Sequence, residues 1–261
     1  RFAVGDIFTT RIPFVSSGKR GRGARVTNRR LGSTRAFDTT DVFGEAPPGW
    51  EVELYLNGNL WDFATVDGSG QYAFRDVPIT TGTNVVRTRL YGPQGQTRED
   101  VRSLYVGPGL WRRGELYYEA FSLQDELSIF GDNLWSSPSP DEGAWNHHVE
   151  LGYGVSRSFS VGATVDRVSH LGRRQDLATL TAYKSLGPLY LQTILAKDLD
   201  AGHALRLAGQ GRLLGHDLHL EQDLFDDYVS EDDAGRAGAT GETSVRLSGN
   251  ASPVMYQLRH Q

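Results

Sequence analysis

The second half of the chain is a succession of segments in which apolar and polar residues alternate, and this alternation restricts the fold more than any other feature. One segment places Phe159, Val161, Ala163 and Val165 on one face and Ser158, Ser160, Thr164 and Asp166 on the other. Similarly, Leu205 and Leu207 oppose Arg206, Gln210 and Arg212, and Leu218, Leu220 and Leu224 oppose His219, Glu221 and Asp223. Because successive side chains of a strand point to opposite faces, this period of two indicates β-strands. The best candidate for a helix, residues 123–130, is short and fits a strand equally well, so we predict an all-β protein.

The length of these segments leaves two environments open. Each lasts about nine to eleven residues, which is the length that a tilted strand needs to cross a bilayer. Aromatic residues lie near several segment ends, as an interfacial girdle requires: Trp111, Tyr117, Tyr153, Phe159, Tyr183 and Phe225. A soluble sandwich strand shows the same alternation, with its apolar face turned to the core. The segment length and the low hydrophobic content of 38% favour antiparallel strands of a transmembrane-type β-barrel.

A different pattern of short strands and tight turns lies between about Pro47 and Val106. Pro47-Pro48-Gly49 interrupts the chain, and Asn57-Gly58 is a dipeptide that favours a type I′ hairpin turn. Further turn signals follow at residues 67–70, 82–84 and 92–95. Strands at this spacing predict an inserted small β-sandwich of about 60 residues. We therefore divide the chain into barrel strands (1–46), a plug-like sandwich (47–107) and further barrel strands (108–261). Since the chain begins at Arg1 and stops after a strand-like segment, we expect it to be excised from a longer protein.

The order of these zones, together with several turn sequences, resembles the central part of the outer-membrane ushers of the chaperone–usher pathway. In that family a plug domain interrupts a barrel, and residues 104–118, Leu-Tyr-Val-Gly-Pro-Gly-Leu-Trp-Arg-Arg-Gly-Glu-Leu-Tyr-Tyr, are similar to the return into the barrel. Residues 149–163 resemble the strand–turn–strand that comes next, and residues 186–191 resemble the following turn. The turns of residues 57–58, 67–72 and 74–78 also resemble the carboxypeptidase-regulatory-like sandwich of many bacterial surface proteins.

The resemblance implies a pore of the bacterial outer membrane that translocates and assembles surface fibre (pilus) subunits, with the sandwich gating the lumen. Its partners would be fibre subunits, a periplasmic chaperone and outer-membrane lipid. Candidates for plug–lumen contacts, chosen from the exposed strand face, are Arg87, Arg89, Arg98 and Glu99. The alternative is a surface binding or adhesion module in which Trp50, Trp61 and Tyr72 hold a glycan or a protein. Uncharged outward positions in the third zone would favour the barrel, and scattered charges there would favour the module.

A basic stretch near the start consists of Lys19, Arg20, Arg22, Arg25, Arg29 and Arg30. It could line the lumen, bind the phosphates of lipopolysaccharide through the arginine forks, or form a solvated loop. The net charge of −5 gives no sign of nucleic-acid binding.

Chemistry-bearing motifs are sparse, so we expect no enzyme, metal or cofactor. The chain has no cysteine, which excludes disulfides and thiolate metal sites. His147 and His148 are adjacent and would point to opposite faces of a strand, so they cannot easily share a metal. An acidic cluster between residues 223 and 233 could be a calcium site, but without an Asp-x-Asp-x-Asp-Gly pattern a solvated loop is favoured.

Overall fold

The computed structural model describes residues 1–28, 36–130, 139–213, 216–232, 240–251 and 254–260, and in these ranges it is all-β. The described residues form seventeen strands. None of them forms a helix long and apolar enough to cross a membrane. The all-β prediction is therefore confirmed.

Eleven strands form one antiparallel sheet in the order β1-β2-β9-β10-β11-β12-β13-β14-β15-β16-β17. Their bounds are β1 Phe2–Phe8, β2 Arg20–Thr27, β9 Leu116–Asp125, β10 Trp145–Ser156, β11 Phe159–His170, β12 Arg173–Leu186, β13 Leu189–Asp198, β14 His203–Leu213, β15 His216–Asp226, β16 Gly241–Ala251 and β17 Val254–His260. All are paired as sequential hairpins except β2 and β9, which are neighbours in the sheet although the sandwich separates them in sequence. β1 and β17 are its two edges, so these eleven strands form an open wall.

The two ends of this wall differ in their connections. At one end, which we call the short-turn end, the strand bounds leave two residues between β10 and β11 and two between β12 and β13. The sandwich is inserted at this same end, between β2 and β9. At the other end, the long-loop end, the connections include residues 9–19, 126–144 and 227–240.

The wall is strongly curved, as contacts between distant strands show. Six strands separate β2 from β15, so a flat sheet would hold them about 34 Å apart at a strand spacing of ~4.8 Å. Yet Lys19, beside β2, pairs with Glu231, beyond β15, at 2.7 Å. Arg11 of the same loop donates to Asp232 at 2.9 Å. The sheet must therefore curl around an interior that this loop crosses.

The inserted sandwich consists of two small sheets. One is β3 (Ala36–Glu45) with β6 (Gln71–Thr80), and the other has the order β5-β4-β7-β8, from β4 Glu51–Leu56, β5 Asn59–Thr65, β7 Gly82–Tyr91 and β8 Thr97–Val106. The fully buried Val52, Leu54 and Val77 lie at the centre of its core. Asn57 and Gly58 both have positive φ, at 51° and 88°, as the predicted type I′ hairpin requires.

The sandwich begins earlier than the boundary that we placed at Pro47, because β3 belongs to it. β3 pairs with β6, and its buried Val42 packs into the sandwich core. Two register shifts, at residues 36–38 and 40–42, break the alternation of β3. This irregularity is why the sequence pattern left β3 among the barrel strands.

Candidate functional site

The outer face of the wall, away from the loop of residues 9–19, is uncharged over its middle height. Strand registers place the following residues on this face in β10 to β15: Val149, Leu151, Val161, Ala163, Val165, Ala178, Leu180, Ala182, Leu191, Thr193, Leu195, Leu205, Leu207, Gly209, Leu218, Leu220, Gln222 and Leu224. Many are large apolar side chains that remain exposed, with Val165 and Leu180 both 60% exposed. An exposed, continuous apolar face of this extent is typical of a surface that meets lipid or another protein.

Charged residues reappear on the outer face only at its rims in β11 and β12. Arg167 pairs with Asp176 at the long-loop rim, with a shortest N–O distance of 2.6 Å. Lys184 lies at the short-turn rim, with its ammonium 5.8 Å from the ring centroid of Phe159. The eight residue-to-residue steps from Asp176 to Lys184 span about 27 Å along the strand at ~3.4 Å per step. At a tilt of ~40° this gives a band about 21 Å tall, near the ~25 Å of a transmembrane barrel.

The inner face carries buried polar and charged side chains. Arg206 forms a two-pronged pair with Asp223, at 2.7 and 2.6 Å. The Nδ1 atom of His148 lies 2.5 Å from the Asp166 carboxylate, and Thr164 donates to the same carboxylate at 2.6 Å. A polar inner face behind an apolar outer face is the reverse of a soluble sandwich.

The loop of residues 9–19, which we call the inner loop, folds onto this polar wall. Phe14 and Val15 are fully buried in a cluster that includes Leu177, Ile194 and Phe225. The backbone N–H of Phe14 donates to Asp232 at 3.0 Å, and the guanidinium of Arg206 lies 4.7 Å from the Phe14 ring centroid. The inner loop therefore has an apolar anchor on strands β12 to β15 and charged partners on β14 and in the segment after β15.

A second segment, the tether of residues 107–115, returns from the sandwich along the inner face near the short-turn end. The Trp111 ring stacks on Tyr117, with ring centroids 5.5 Å apart, and the backbone N–H of Trp111 donates to the Ser160 hydroxyl at 2.9 Å. A Cβ on Gly152 would lie 2.5 Å from the Trp111 ring, and one on Gly162 would lie 3.1 Å away. These two glycines face each other across β10 and β11 and leave the space that the indole occupies.

Aromatic residues also join the sandwich to the wall. Tyr105 of β8 donates its backbone N–H to the Gly187 carbonyl at 2.8 Å. Its ring packs against that of Tyr190 at a tilt of 47°, with centroids 5.9 Å apart, and the Tyr190 hydroxyl donates to the Pro108 carbonyl. The apolar cluster at this junction combines Phe37, Ile79, Val106, Leu110 and Tyr190. These aromatic and apolar contacts thus hold the sandwich at the short-turn end of the wall.

One ion pair links the sandwich to a wall turn directly: Arg157, between β10 and β11, donates to Asp41 of β3 at 3.3 Å. A backbone hydrogen bond from Asp76, and then the Arg157 guanidinium, lower the pKa of the Asp41 carboxyl. The Asp76 bond lies inside the sandwich, so only the Arg157 contribution depends on docking. That contribution is lost as the pH falls through the lowered pKa of Asp41.

We therefore expect sandwich docking to be insensitive to pH between 5 and 8 and to weaken in acid below pH ~4. The absence of cysteine allows spin labels on Gln94→Cys and Leu186→Cys to measure the distance between sandwich and wall. In an Asp41→Asn background the acid transition from this site should vanish. Asp100→Asn, which breaks the 2.9 Å pair with Arg102 inside the sandwich, is the control and should keep it. An unchanged acid transition in Asp41→Asn would contradict this assignment.

The structure places the predicted plug–lumen residues on the sandwich, where most of them pair with one another. Arg89 contacts Glu99 at 3.3 Å and Arg87 contacts it at 3.8 Å, all about 40% exposed. Arg98 lines an open groove together with Phe43 and Tyr72. Their contact with a lumen stays a prediction.

The basic stretch divides between the two faces of the wall. Lys19 is buried and pairs with Asp125 at 2.8 Å, and Arg25 pairs with Glu119 at 2.7 Å, both on the inner face. Arg22 donates to Gln124 at 2.8 Å on the outer side, and Arg20 is exposed at the start of β2. Arg29 and Arg30 lie outside the described residues.

Sequence reasoning missed the acidic partners of the inner loop. Glu231 and Asp232, which we interpreted as part of a solvated loop, accept from Ser17 at 2.7 Å and from Phe14 and Arg11. It also missed the space that Gly152 and Gly162 leave for Trp111 of the tether, although glycines at inward strand positions signal the close approach of another segment. Among the described residues, no three His, Asp or Glu side chains are arranged to hold a metal ion.

Comparisons with known proteins give structural likeness alone. No protein-family model matches the chain, and no curated protein matches it. The structure of the P pilus usher (PapC) translocation pore superposes with a TM-score of 0.50 at 14% identity, covering 99% of this chain and 54% of that one. A cryo-EM structure of the E. coli P pilus tip assembly intermediate PapC-PapD-PapK-PapG gives a TM-score of 0.51 at 14% identity, covering 99% and 33%. This chain thus spans about half the length of the first. It has, over nearly its whole length, the fold of part of an usher translocation pore.

Proposed function

We propose that the chain forms part of an outer-membrane pore that translocates and assembles surface fibre subunits. The observation that carries this proposal is the uncharged apolar band on the outer face, set against a polar inner face. The band has the height and residue pattern of a lipid-facing barrel wall. Further strands must pair with β1 and β17 to close such a pore. We propose no catalytic role.

The same band argues against the alternative of a water-exposed surface binding module. Such a module would expose more than a dozen apolar side chains to solvent, far beyond an ordinary surface patch. Trp61 is exposed, but Tyr72 is buried in the sandwich core, so the aromatic residues suggested for glycan binding do not form one surface.

In this proposal the sandwich gates the lumen. Two observations support it: the sandwich docks at the short-turn end of the wall, and its tether runs on the inner face. The junction combines a small apolar cluster with hydrogen bonds and the exposed Asp41–Arg157 pair. An interface of this mixed kind can release reversibly. The sandwich would close the pore at rest, with Arg87, Arg89, Arg98 and Glu99 as the residues that meet the lumen, and would swing aside when a subunit–chaperone complex engages.

The partners follow from the likeness to the tip assembly intermediate, in which the usher PapC is combined with PapD, PapK and PapG. We propose that this chain likewise meets fibre subunits and a periplasmic chaperone, with outer-membrane lipid around the wall. The net charge of −5 suits these partners better than nucleic acid.

The deciding experiment is fractionation of the native protein, with gel migration before and after heating. Heat-modifiable protein in the outer membrane would support the pore. Soluble protein that stays folded without detergent would contradict it. To test gating, residues 36–106 are replaced by a short Gly/Ser linker and single-channel conductance is recorded. A pore with a resting conductance no larger than that of the intact protein would contradict the gating role.

The membrane assignment makes a prediction for two neighbouring residues of β15. Leu220 faces outward at mid-height, and His219 faces inward beside Arg246. Leu220→Arg should cost about 2–4 kcal/mol of folding free energy in lipid vesicles, because the charge enters the bilayer. His219→Arg, the matched control, should change it by less than about 1 kcal/mol since it faces a polar interior. Urea titration in vesicles measures both, and equal effects would place both residues in water.

A further inference from the structure

The outer face of the wall carries most of its charge at the long-loop rim. Strand registers place six basic residues on this face there: Arg22, Arg167, Arg174, Lys197, His147 and His203. At the short-turn rim of strands β10 to β13, all of which the structure describes, Lys184 is the single charged residue of the outer face. The two rims are therefore electrostatically different.

The basic residues are densest where β10, β11 and β12 lie side by side. His147 is directly opposite Arg167, Arg167 is directly opposite Asp176, and Arg174 is diagonal to Arg167. Neighbours of these two kinds on one face of a sheet have Cβ atoms ~5 Å and ~7 Å apart. The side chains of His147, Arg167 and Arg174, which we call the basic cluster, are all exposed.

The carboxylate inside this cluster is already occupied. Both oxygens of Asp176 accept from Arg167, at 2.6 and 2.8 Å, and other N–H groups of that guanidinium remain free to donate. Among the described residues, Arg174 forms no hydrogen bond or ion pair. Two guanidiniums against one carboxylate leave a net positive charge, to which a protonated His147 would add.

The other acidic residues of this rim do not oppose the cluster. Asp6 is on β1, three strands from β10, and accepts two hydrogen bonds from the segment after β9, at 2.6 and 2.9 Å. Asp226 is on β15, three strands from β12, and lies 3.5 Å from His203. Asp141 is buried and accepts from Ser169 and from two backbone N–H groups of the β11–β12 turn. An anion at the cluster therefore meets net positive charge.

The cluster borders directly on the apolar band. Val165, which is 60% exposed, lies two residues from Arg167 on the same face. Trp145 stacks on His147 with ring centroids 6.1 Å apart, and tryptophan is typical of the headgroup level of a membrane. A lipid whose chains cover Val165 would carry its headgroup to the cluster. Because the longer loops of a transmembrane barrel are extracellular, this rim meets the outer leaflet, where lipopolysaccharide carries phosphates.

We propose that the basic cluster binds a phosphate group of an outer-leaflet lipid of the lipopolysaccharide type, an inference that rests on the proposed pore function. Arg174 donates the two prongs of its guanidinium to the phosphate, since arginine forks match phosphate geometry. Arg167 donates the N–H groups that Asp176 leaves free, and His147 donates a ring N–H. The lipid chains continue from there along the apolar band.

The test uses the native protein in neutral detergent and two probes, diphosphoryl lipid A and the same lipid without its phosphates. A fluorophore on Leu171→Cys, in the β11–β12 turn and 68% exposed, reports binding beside the cluster. We expect the phosphorylated probe to bind at least about tenfold more tightly. Arg174→Gln should lose at least about threefold of that affinity. Lys184→Gln, which removes one charge at the opposite rim, is the matched control and should change it by less than about twofold.

Labelling of intact cells with a membrane-impermeant maleimide checks which leaflet the cluster meets. Leu171→Cys should react, and Leu186→Cys at the short-turn rim should not. The reverse pattern would overturn the proposal, as would equal affinity for the two lipids or an unchanged affinity in Arg174→Gln. Displacement of the lipid by an equal concentration of inorganic phosphate would also overturn it, because the ligand would then be free phosphate. If heat-modifiable protein is found in the outer membrane despite such a result, the pore proposal stands and this inference alone fails.

Discussion

Replacement of Asp223 by alanine is expected to lower the free energy of unfolding by about 3–5 kcal/mol, the cost of leaving one member of a buried ion pair without its partner. The side chains of Arg206 and Asp223 are 6% and 2% exposed, and two hydrogen bonds join them. Glu221 lies 3.5 Å from the same guanidinium and compensates only in part. The Phe14 ring over Arg206 adds a third contact, so the inner loop should loosen as well.

Urea titration in lipid vesicles measures this loss, and proteolysis within residues 9–19 reports on the inner loop. Asp176→Ala is the matched control: it breaks the two-pronged pair with Arg167, which is half exposed, and should cost no more than about 1 kcal/mol. Replacing Arg206 and Asp223 together by Met and Leu should recover most of the stability. Equal losses in Asp223→Ala and Asp176→Ala would contradict a buried pair.

Gly152→Leu is expected to displace Trp111 from the wall and release the tether without unfolding the strands. Even a Cβ at this position would lie 2.5 Å from the indole, and leucine adds three further carbons. Overpacking of this kind costs about 1–3 kcal/mol, and moving the tether relieves it more easily than moving two paired strands. The sandwich should then leave the short-turn end more often.

Cleavage of residues 107–113 by added protease, together with the frequency of channel opening, measures the release. Both should rise at least several-fold. Gly209→Leu is the control, since Gly209 faces outward and its added Cβ meets Leu191 at an ordinary 3.4 Å. If the protease cleaves the tether equally slowly in Gly152→Leu and in the unchanged protein, the glycine pair does not hold Trp111 in place.

The features that sequence predicted are those that depend on neighbouring residues. Alternation at Leu205, Leu207, Leu218 and Leu220 predicted the outer face, and Asn57-Gly58 predicted its hairpin. The features that it missed join distant parts of the chain. Arg11 and Asp232 are 221 residues apart, and nothing in either local pattern indicates that a curved wall brings them together.

Two other features were missed for different physical reasons: the membership of β3 in the sandwich and the contact of Trp111 with Gly152 and Gly162. Bulges hide β3 from any test of regular alternation, although its pairing with β6 is extensive. Gly152 and Gly162 did carry a signal, because glycine is unfavourable inside a strand unless another segment approaches closely. That signal identified a close approach but not Trp111 as the residue that makes it.

The placement of β2 beside β9 has a consequence for the order in which the protein folds. Before the wall is continuous, Thr27 of β2 must pair with Glu119 of β9, although the whole sandwich lies between them in sequence. A sandwich that has already folded holds residues 36 and 106 in one compact body and shortens the effective loop. By the logarithmic dependence of loop-closure entropy, this lowers the cost of the β2–β9 pairing by roughly 1–2 kcal/mol. The folded sandwich should therefore speed assembly of the wall, and a variant with an unstable sandwich should build the wall more slowly.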